Sequence, residues 1–170
     1  VTFAEIAMRE IGINMGRDEF SFKITGGPNG DVAGNTLRLL LERCPRVRIK
    51  LVIDGSGVLY DPAGVDRREL KRLILKKDVD GFRPEKIHDG GFLLTRKWRR
   101  EGMKVTFLRS DRLGEKVTER WVTADELNRT YEEALFDVPA DLFIPAGGRP
   151  ETIHEHNCQR LFDDEGRPTV

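Results

Sequence analysis

The sequence holds few of the features that mark special classes of protein. Only two cysteines occur in 170 residues, Cys44 and Cys158. They are far apart and share no metal-type spacing, so neither a disulfide framework nor a zinc site is indicated. No apolar run approaches the roughly 18–20 residues that span a bilayer. The N-terminus lacks the charged-then-apolar layout of a signal peptide. Net charge is also missing: 29 Lys plus Arg balance 29 Asp plus Glu. A zero balance removes the basic surplus expected of a nucleic-acid binder. What remains is a 38% hydrophobic, 34% charged chain. That composition suits one globular domain of a cytoplasmic protein and not a disordered segment.

The zero total hides an uneven distribution. Residues 61–120 carry seventeen basic and eleven acidic residues, whereas residues 121–170 carry four and eleven. A basic middle therefore faces an acidic end. Such blocks read as solvated faces, or as surfaces that meet another part of a longer chain.

The periodicity alternates between two kinds of element. Phe3, Ile6, Ala7 and Ile11 lie on one face of a helix that Gly12 ends. Phe20–Thr25 alternates and is rich in β-branched and aromatic residues, so it reads as a strand. A glycine-rich break follows. From Asp31 the chain is helical, and Pro45 closes that helix. Val47–Asp54 is the clearest strand, followed by a polar turn to Gly64. Asp66 caps a helix from Arg67 to Lys77. Residues 78–122 break the rhythm and read as an irregular insertion, with a strand-like alternation at Met103–Leu108. Thr123 and Glu126 have capping-box spacing for the next helix. Ala140–Ile144 is a short strand, and Glu155–Phe162 a last helical piece. Strands alternating with helices predict an α/β, Rossmann-like fold. Its sheet is expected to be twisted and mostly parallel, with helices on both faces.

The break between the first strand and its helix reads Gly27-Pro28-Asn29-Gly30-Asp31-Val32-Ala33-Gly34. A phosphate-binding loop needs glycine here for a tight turn, close backbone approach and close helix–strand packing. The helix N-terminus then offers free N–H groups and a positive dipole end to an anion. Asp54 closes the next strand 24 residues after Gly30, near where a ribose-binding acid is expected. The glycines are three and four apart, not two and three as in G-x-G-x-x-G, and no Gly-Lys-Ser/Thr of a Walker loop follows.

At these residues the chain resembles the large NAD-specific glutamate dehydrogenases. Thr25–Asn35 is similar to their glycine-rich loop. Ile53–Asp66, with its Tyr60-Asp61-Pro62-Ala63-Gly64-Val65-Asp66, is a longer and more specific match. Ala140–Pro150 resembles the family's D-I-x-x-P strand end, and Ile153–Asn157 its I-T-x-x-N. The resemblance implies an NAD-binding domain of an enzyme that deaminates L-glutamate to 2-oxoglutarate and ammonia, with hydride transfer to NAD. Carried over by position, Gly27, Asn29, Gly30, Asp31, Val32 and Gly34 match the pyrophosphate loop. Asp54, Gly55 and Ser56 match the adenosine-ribose end. Pro145, Ala146 and Gly147 match the loop beside the nicotinamide, and Asn157 the asparagine near it. No catalytic residue is expected in this chain, because the family carries its catalytic lysine and aspartate in a substrate domain upstream of the loop. Residues 1–170 then form one cofactor domain of a larger, homo-oligomeric protein, cut at both ends and inactive alone. Related leucine, phenylalanine or valine dehydrogenases are a second reading. A Rossmann-like regulatory module without cofactor is a third, favoured by the irregular glycine spacing.

The other chemistry-bearing residues have plainer readings. His88 reads as an isolated surface residue, and His154 and His156 have poor spacing for a metal. Cys158 reads as a half-buried small residue. Arg96-Lys97-Trp98-Arg99-Arg100 reads as a solvated face or an interface with a missing domain. An acid at Asp54 with no base before Arg67 favours NAD over NADP.

Overall fold

The computed structural model describes residues 1–147, 152–162 and 164–166. The elements follow the order α1 (Thr2–Glu10), β1 (Phe20–Thr25), α2 (Asp31–Arg43), β2 (Val47–Ile53), β3 (Gly57–Tyr60) and α3 (Arg67–Leu73). Two 3-10 turns, Val79–Gly81 and Pro84–Lys86, lead into β4 (Phe92–Glu101), β5 (Lys104–Leu113) and β6 (Lys116–Thr123). The chain continues through α4 (Ala124–Asp137), β7 (Leu142–Pro145) and a 3-10 turn at Cys158–Leu161.

The fold is α/β and Rossmann-like, with one seven-stranded sheet in the order β6-β5-β4-β3-β2-β1-β7. β1 runs parallel to β2 and to β7. From β2 to β6 each neighbour is antiparallel. The parallel, crossover-connected part is thus confined to β2-β1-β7, and the sheet as a whole is mixed.

Helices cover both faces. One apolar cluster joins Phe20, Phe22 and Ile24 of β1 to Met8 of α1, Leu37 and Leu40 of α2, and Leu70 and Leu73 of α3. The other joins Leu51 and Ile53 of β2 to Leu127 and Leu135 of α4. The alternation of β1 side chains divides its residues between these faces. Its α4 side is polar: Ser21, Lys23 and Thr25 are all buried there. Lys23, 1% exposed, donates from Nζ to the carbonyls of Leu135 and Val138 at 2.6 and 2.9 Å. A cation thus sits on the carbonyl end of α4, where the helix leaves acceptors without intrahelical donors.

Local chemistry explains the element ends. Asp66 accepts from Glu69 N at 2.7 Å and caps α3. Thr123 accepts from Glu126 N and caps α4, but the Glu126 carboxylate pairs with Arg120 instead of returning to Thr123. Helix α3 stops at Leu73, short of the expected Lys77. Leu75 then turns to φ 57° and gives its N–H to Pro28 O at 2.9 Å, tying the end of α3 to the glycine loop.

Two stretches depart from the expected layout. The polar turn after β2 holds β3, because the Asp54 turn folds the chain straight back into a hairpin. Residues 78–122, expected to be irregular, hold the antiparallel meander β4–β6. In β4, Leu93, Leu94 and Thr95 are buried in succession and residues 96–101 are all exposed. Neither half shows the inside–outside alternation that marks a strand in sequence. The last piece is a single 3-10 turn and not a helix across Glu155–Phe162.

Candidate functional site

The C-terminal ends of β1, β2 and β7 open into a cleft of about 930 Å³. It lies between the start of α2, one face of α4 and the segment around residues 152–160. In open parallel sheets, crevices outside the strand ends are where ligands bind. The volume suits a large small molecule.

The glycine loop forms one wall. Gly30 is the N-cap of α2, with extended φ −75° and ψ 145°, and no side chain caps the first turn. Its leading amides therefore remain available beside the cleft. Two close approaches explain the glycines that precede and follow it. A Cβ on Gly27 would lie 2.1 Å from Asp54 Oδ2, and one on Gly34 would lie 2.3 Å from Pro28 O. The loop is thus pressed onto the end of β2 on one side and folded against α2 on the other.

Asp54 is the best-supplied acceptor in the site. Its Oδ1 accepts from Ser56 N at 2.7 Å, Ser56 Oγ at 2.7 Å and Gly57 N at 3.0 Å. Its Oδ2 accepts from Val79 N at 2.9 Å. A carboxylate offers about four lone-pair positions. Three protein donors share Oδ1 and one reaches Oδ2, so the side chain works as a clamp that shapes the β2–β3 turn. Ser56 Oγ in turn accepts from Asp80 N at 3.0 Å. The turn is held from the other side by Tyr131 of α4, whose hydroxyl donates to Asp54 O at 2.9 Å. Burial pushes the Tyr131 phenol above its ordinary pKa.

Arg96 of β4 reaches the same corner. Its backbone N–H donates to Ser56 O at 2.8 Å, and its guanidinium stands 4.9 Å from the Tyr131 ring centre. Among the described residues no carboxylate pairs with it.

The opposite wall comes from β7 and the segment after it. Ala146 N donates to Thr25 O at 2.8 Å, carrying β7 alongside β1 up to the cleft. Asn157 closes a local loop: its Oδ1 accepts from His154 N at 2.8 Å and its Nδ2 donates to Thr152 O at 3.1 Å. Arg160 lies 4.1 Å over the Phe136 ring. Thr25 Oγ1 is buried at the cleft wall and has no hydrogen-bond partner among the described residues. A buried hydroxyl without a partner is costly, and a polar ligand would relieve it.

The expected site residues divide into two groups. Gly27, Gly30, Asp31, Val32, Asp54, Gly55, Ala146, Gly147 and Asn157 all line the cleft. Asn29, Gly34, Ser56 and Pro145 do not line it. Gly34 and Ser56 support residues that do. Gly148, Arg149 and Pro150 of the third resembling block lie outside the described residues.

Thr25, Arg96, Tyr131, Phe136, His154 and Arg160 also line the cleft without having been singled out for it. Arg96 was visible only as part of a basic stretch, and Tyr131 as one apolar position of a helix. No local signal announces that a strand of the meander reaches the strand ends. His88 is likewise not isolated: its backbone N and its Nδ1 lie 3.0 and 2.9 Å from Oδ2 of the fully buried Asp61.

Fold and cleft together define a Rossmann-like domain with a crevice at its parallel strand ends. The chain belongs to the Glutamate/Leucine/Phenylalanine/Valine dehydrogenase family, whose model matches residues 1–167. It is 39% identical over 145 residues to a probable NAD-specific glutamate dehydrogenase of Schizosaccharomyces pombe, covering 85% of this chain and 11% of that protein. It is 30% identical over 144 residues to the NAD-specific glutamate dehydrogenase of Saccharomyces cerevisiae, covering 83% and 12%. The Neurospora crassa NAD-specific glutamate dehydrogenase matches at 31% over 147 residues, covering 86% and 12%. The chain thus spans about an eighth or less of the length of these relatives. No solved structure matches it.

Proposed function

We propose that this chain is the cofactor domain of an NAD-dependent glutamate dehydrogenase, which deaminates L-glutamate oxidatively to 2-oxoglutarate and ammonia. The observation that carries the reading is convergence on one cleft. Residues from separate resembling stretches, Gly27, Gly30, Asp31 and Val32, Asp54 and Gly55, Ala146 and Gly147, and Asn157, line the same crevice. The names of the relatives supply the cofactor and the amino acid.

The residues fit a dinucleotide. The uncapped first turn of α2, with the Gly30 backbone beside it, suits a pyrophosphate. Thr25 Oγ1, without a partner among the described residues, suits a polar group deeper in the crevice. When bound, NAD supplies the hydride acceptor. The chain's own part is to bind and orient. Gly27 and Gly30 let the backbone approach the phosphates. Ala146 and Gly147 border the path beyond Thr25. Tyr131, Leu135 and Phe136 of α4 exclude water from one side. Asp54 acts indirectly: it fixes the turn that carries Gly55, and its charge disfavours a 2′-phosphate nearby. The lysine and aspartate of the reaction would come from a substrate domain elsewhere in a larger, homo-oligomeric protein.

Calorimetric titration of the full-length polypeptide with NADH, together with an assay of glutamate oxidation, tests this. Saturable NADH binding and glutamate-dependent NAD reduction are expected. NADH binding accompanied by turnover of leucine, phenylalanine or valine, and not of glutamate, would retain the family and overturn the substrate. A folded protein that ignores millimolar NADH would overturn the cofactor reading itself.

A further inference from the structure

The acid at the end of the second strand is largely committed to its own turn. Oδ1 of Asp54 accepts from Ser56 N, Ser56 Oγ and Gly57 N at 2.7–3.0 Å, and Oδ2 accepts from Val79 N at 2.9 Å, so Oδ1 is saturated and at most one position on Oδ2 is left for a ligand. A ribose with two hydroxyls arriving at this corner would need a protein partner besides Asp54. The space for it exists: a Cβ added at Gly55 would meet no atom within 4 Å.

We infer that Arg96 is the specificity-determining contact for the adenosine-side ribose of the dinucleotide, backed by the ring of Tyr131. This rests on the cofactor reading above. Arg96 is anchored to the Asp54 turn by its own backbone, through the 2.8 Å bond to Ser56 O. Its side chain lines the cleft, and its guanidinium lies 4.9 Å from the Tyr131 ring centre. Tyr131 is itself held in place by its bond to Asp54 O. No carboxylate among the described residues neutralises the guanidinium, so beyond its contact with Tyr131 its charge and remaining donors are open to a ligand.

The donor set reverses the usual arrangement at this position. A ribose hydroxyl would accept from Arg96 instead of donating to a carboxylate. The same cation partly offsets the Asp54 charge against a 2′-phosphate. Arg96 therefore sets both the affinity for the adenosine end and the steepness of discrimination against its 2′-phosphorylated form. It belongs to the meander β4–β6, which thereby contributes to the site as well as extending the sheet.

Calorimetric titrations of the full-length polypeptide with ADP-ribose, 2′-phospho-ADP-ribose and nicotinamide mononucleotide test the inference, using wild type, Arg96→Ala and Arg96→Lys. Arg96→Ala is expected to weaken ADP-ribose about tenfold, as for loss of a charge-assisted contact. It should weaken the 2′-phosphorylated form still more and leave nicotinamide mononucleotide unchanged. Arg96→Lys, which keeps the charge but loses the fork, should fall between. Circular dichroism confirms the fold, and Arg96→Gln replaces Arg96→Ala if that variant is unfolded. Wild-type affinity for ADP-ribose in Arg96→Ala would overturn the inference while sparing the cofactor reading. Equal losses for all three probes would also overturn it, because they would mark a general distortion. A wild-type protein that binds none of the probes would overturn both.

Discussion

Tyr131 in the middle of α4 donates its hydroxyl to the main-chain carbonyl of Asp54 at the end of β2, 2.9 Å away. This bond ties the helix on one face of the sheet to the turn at the cleft's corner. Tyr131→Phe keeps the ring and removes only the donor. It should cost about 1 kcal/mol and lower the melting midpoint by about 2–4 °C. Burial raises the Tyr131 pKa above the unfolded value. The folded state thus favours the protonated phenol, and its contribution is lost as pH rises through the folded pKa. The wild-type advantage over Tyr131→Phe should therefore shrink above about pH 10. Urea denaturation of both proteins at neutral and alkaline pH measures this; an advantage that grows with alkalinity would refute the assignment.

Asp54→Asn tests the clamp. The amide keeps the shape but must turn its NH2 toward Val79 N or toward the donors of Ser56 and Gly57. Either choice sets donor against donor, at a cost of roughly 2–3 kcal/mol. Thermal melting should show this loss, and NADH affinity should fall as the Gly55 corner loosens, with NADPH falling less because the charge that disfavours its 2′-phosphate is gone. A variant of unchanged stability that loses NADH affinity would instead make Asp54 a direct ribose ligand.

Much of this geometry was legible in advance, and the boundary has a physical cause. α2 and α4 bury one face, so apolar spacing reveals them; β1 and β2 are short runs of β-branched and aromatic residues between turn signals; and the capping residues Asp66 and Thr123 mark two helix starts. β4 could not be read in this way, because its first half buries consecutive residues and its second half buries none. The site divides along the same line. The glycine loop, Asp54 and Ala146 announce themselves by position at strand ends. Arg96 and Tyr131 reach the cleft only through tertiary folding, 42 and 77 residues after Asp54. The occupancy of Asp54 was equally invisible, since Val79 N comes from a segment that sequence leaves featureless.

The glycines of the site should separate into packing and open positions. Gly34→Ala places a methyl 2.3 Å from the Pro28 carbonyl, a backbone atom that cannot move without shifting the loop. It should destabilise by about 1–3 kcal/mol, the usual cost of overpacking, and weaken NADH binding. Gly55→Ala meets nothing within 4 Å, so the melting temperature should change little. Any loss of NADH affinity in that variant would then report the ligand's own proximity. Differential scanning fluorimetry with and without NADH distinguishes the two. Equal destabilisation by both substitutions would contradict the packing described.

Lys23 provides a pH signature for the α4 side of the sheet. Burial lowers its pKa from 10.5 to about 8, while its Nζ holds the Leu135 and Val138 carbonyls. The folded pKa lies below the unfolded one, so between about pH 8 and 10.5 the unfolded chain binds more protons at this site. Stability from this group therefore rises with pH across that window. Below about pH 8 the folded state must carry a desolvated ammonium, and the penalty is present in full. Lys23→Met keeps the stem volume and removes the titration. The stability difference between wild type and Lys23→Met should move in favour of wild type from pH 7.5 to pH 10. Chemical denaturation at half-unit steps reads it directly. The Tyr131 effect, which begins above about pH 10 and acts in the opposite direction, cancels in the comparison because both proteins retain Tyr131. A flat difference across the window would mean that the ammonium is as well solvated in the folded chain as in the unfolded one, and that the two carbonyls do not hold it in the interior.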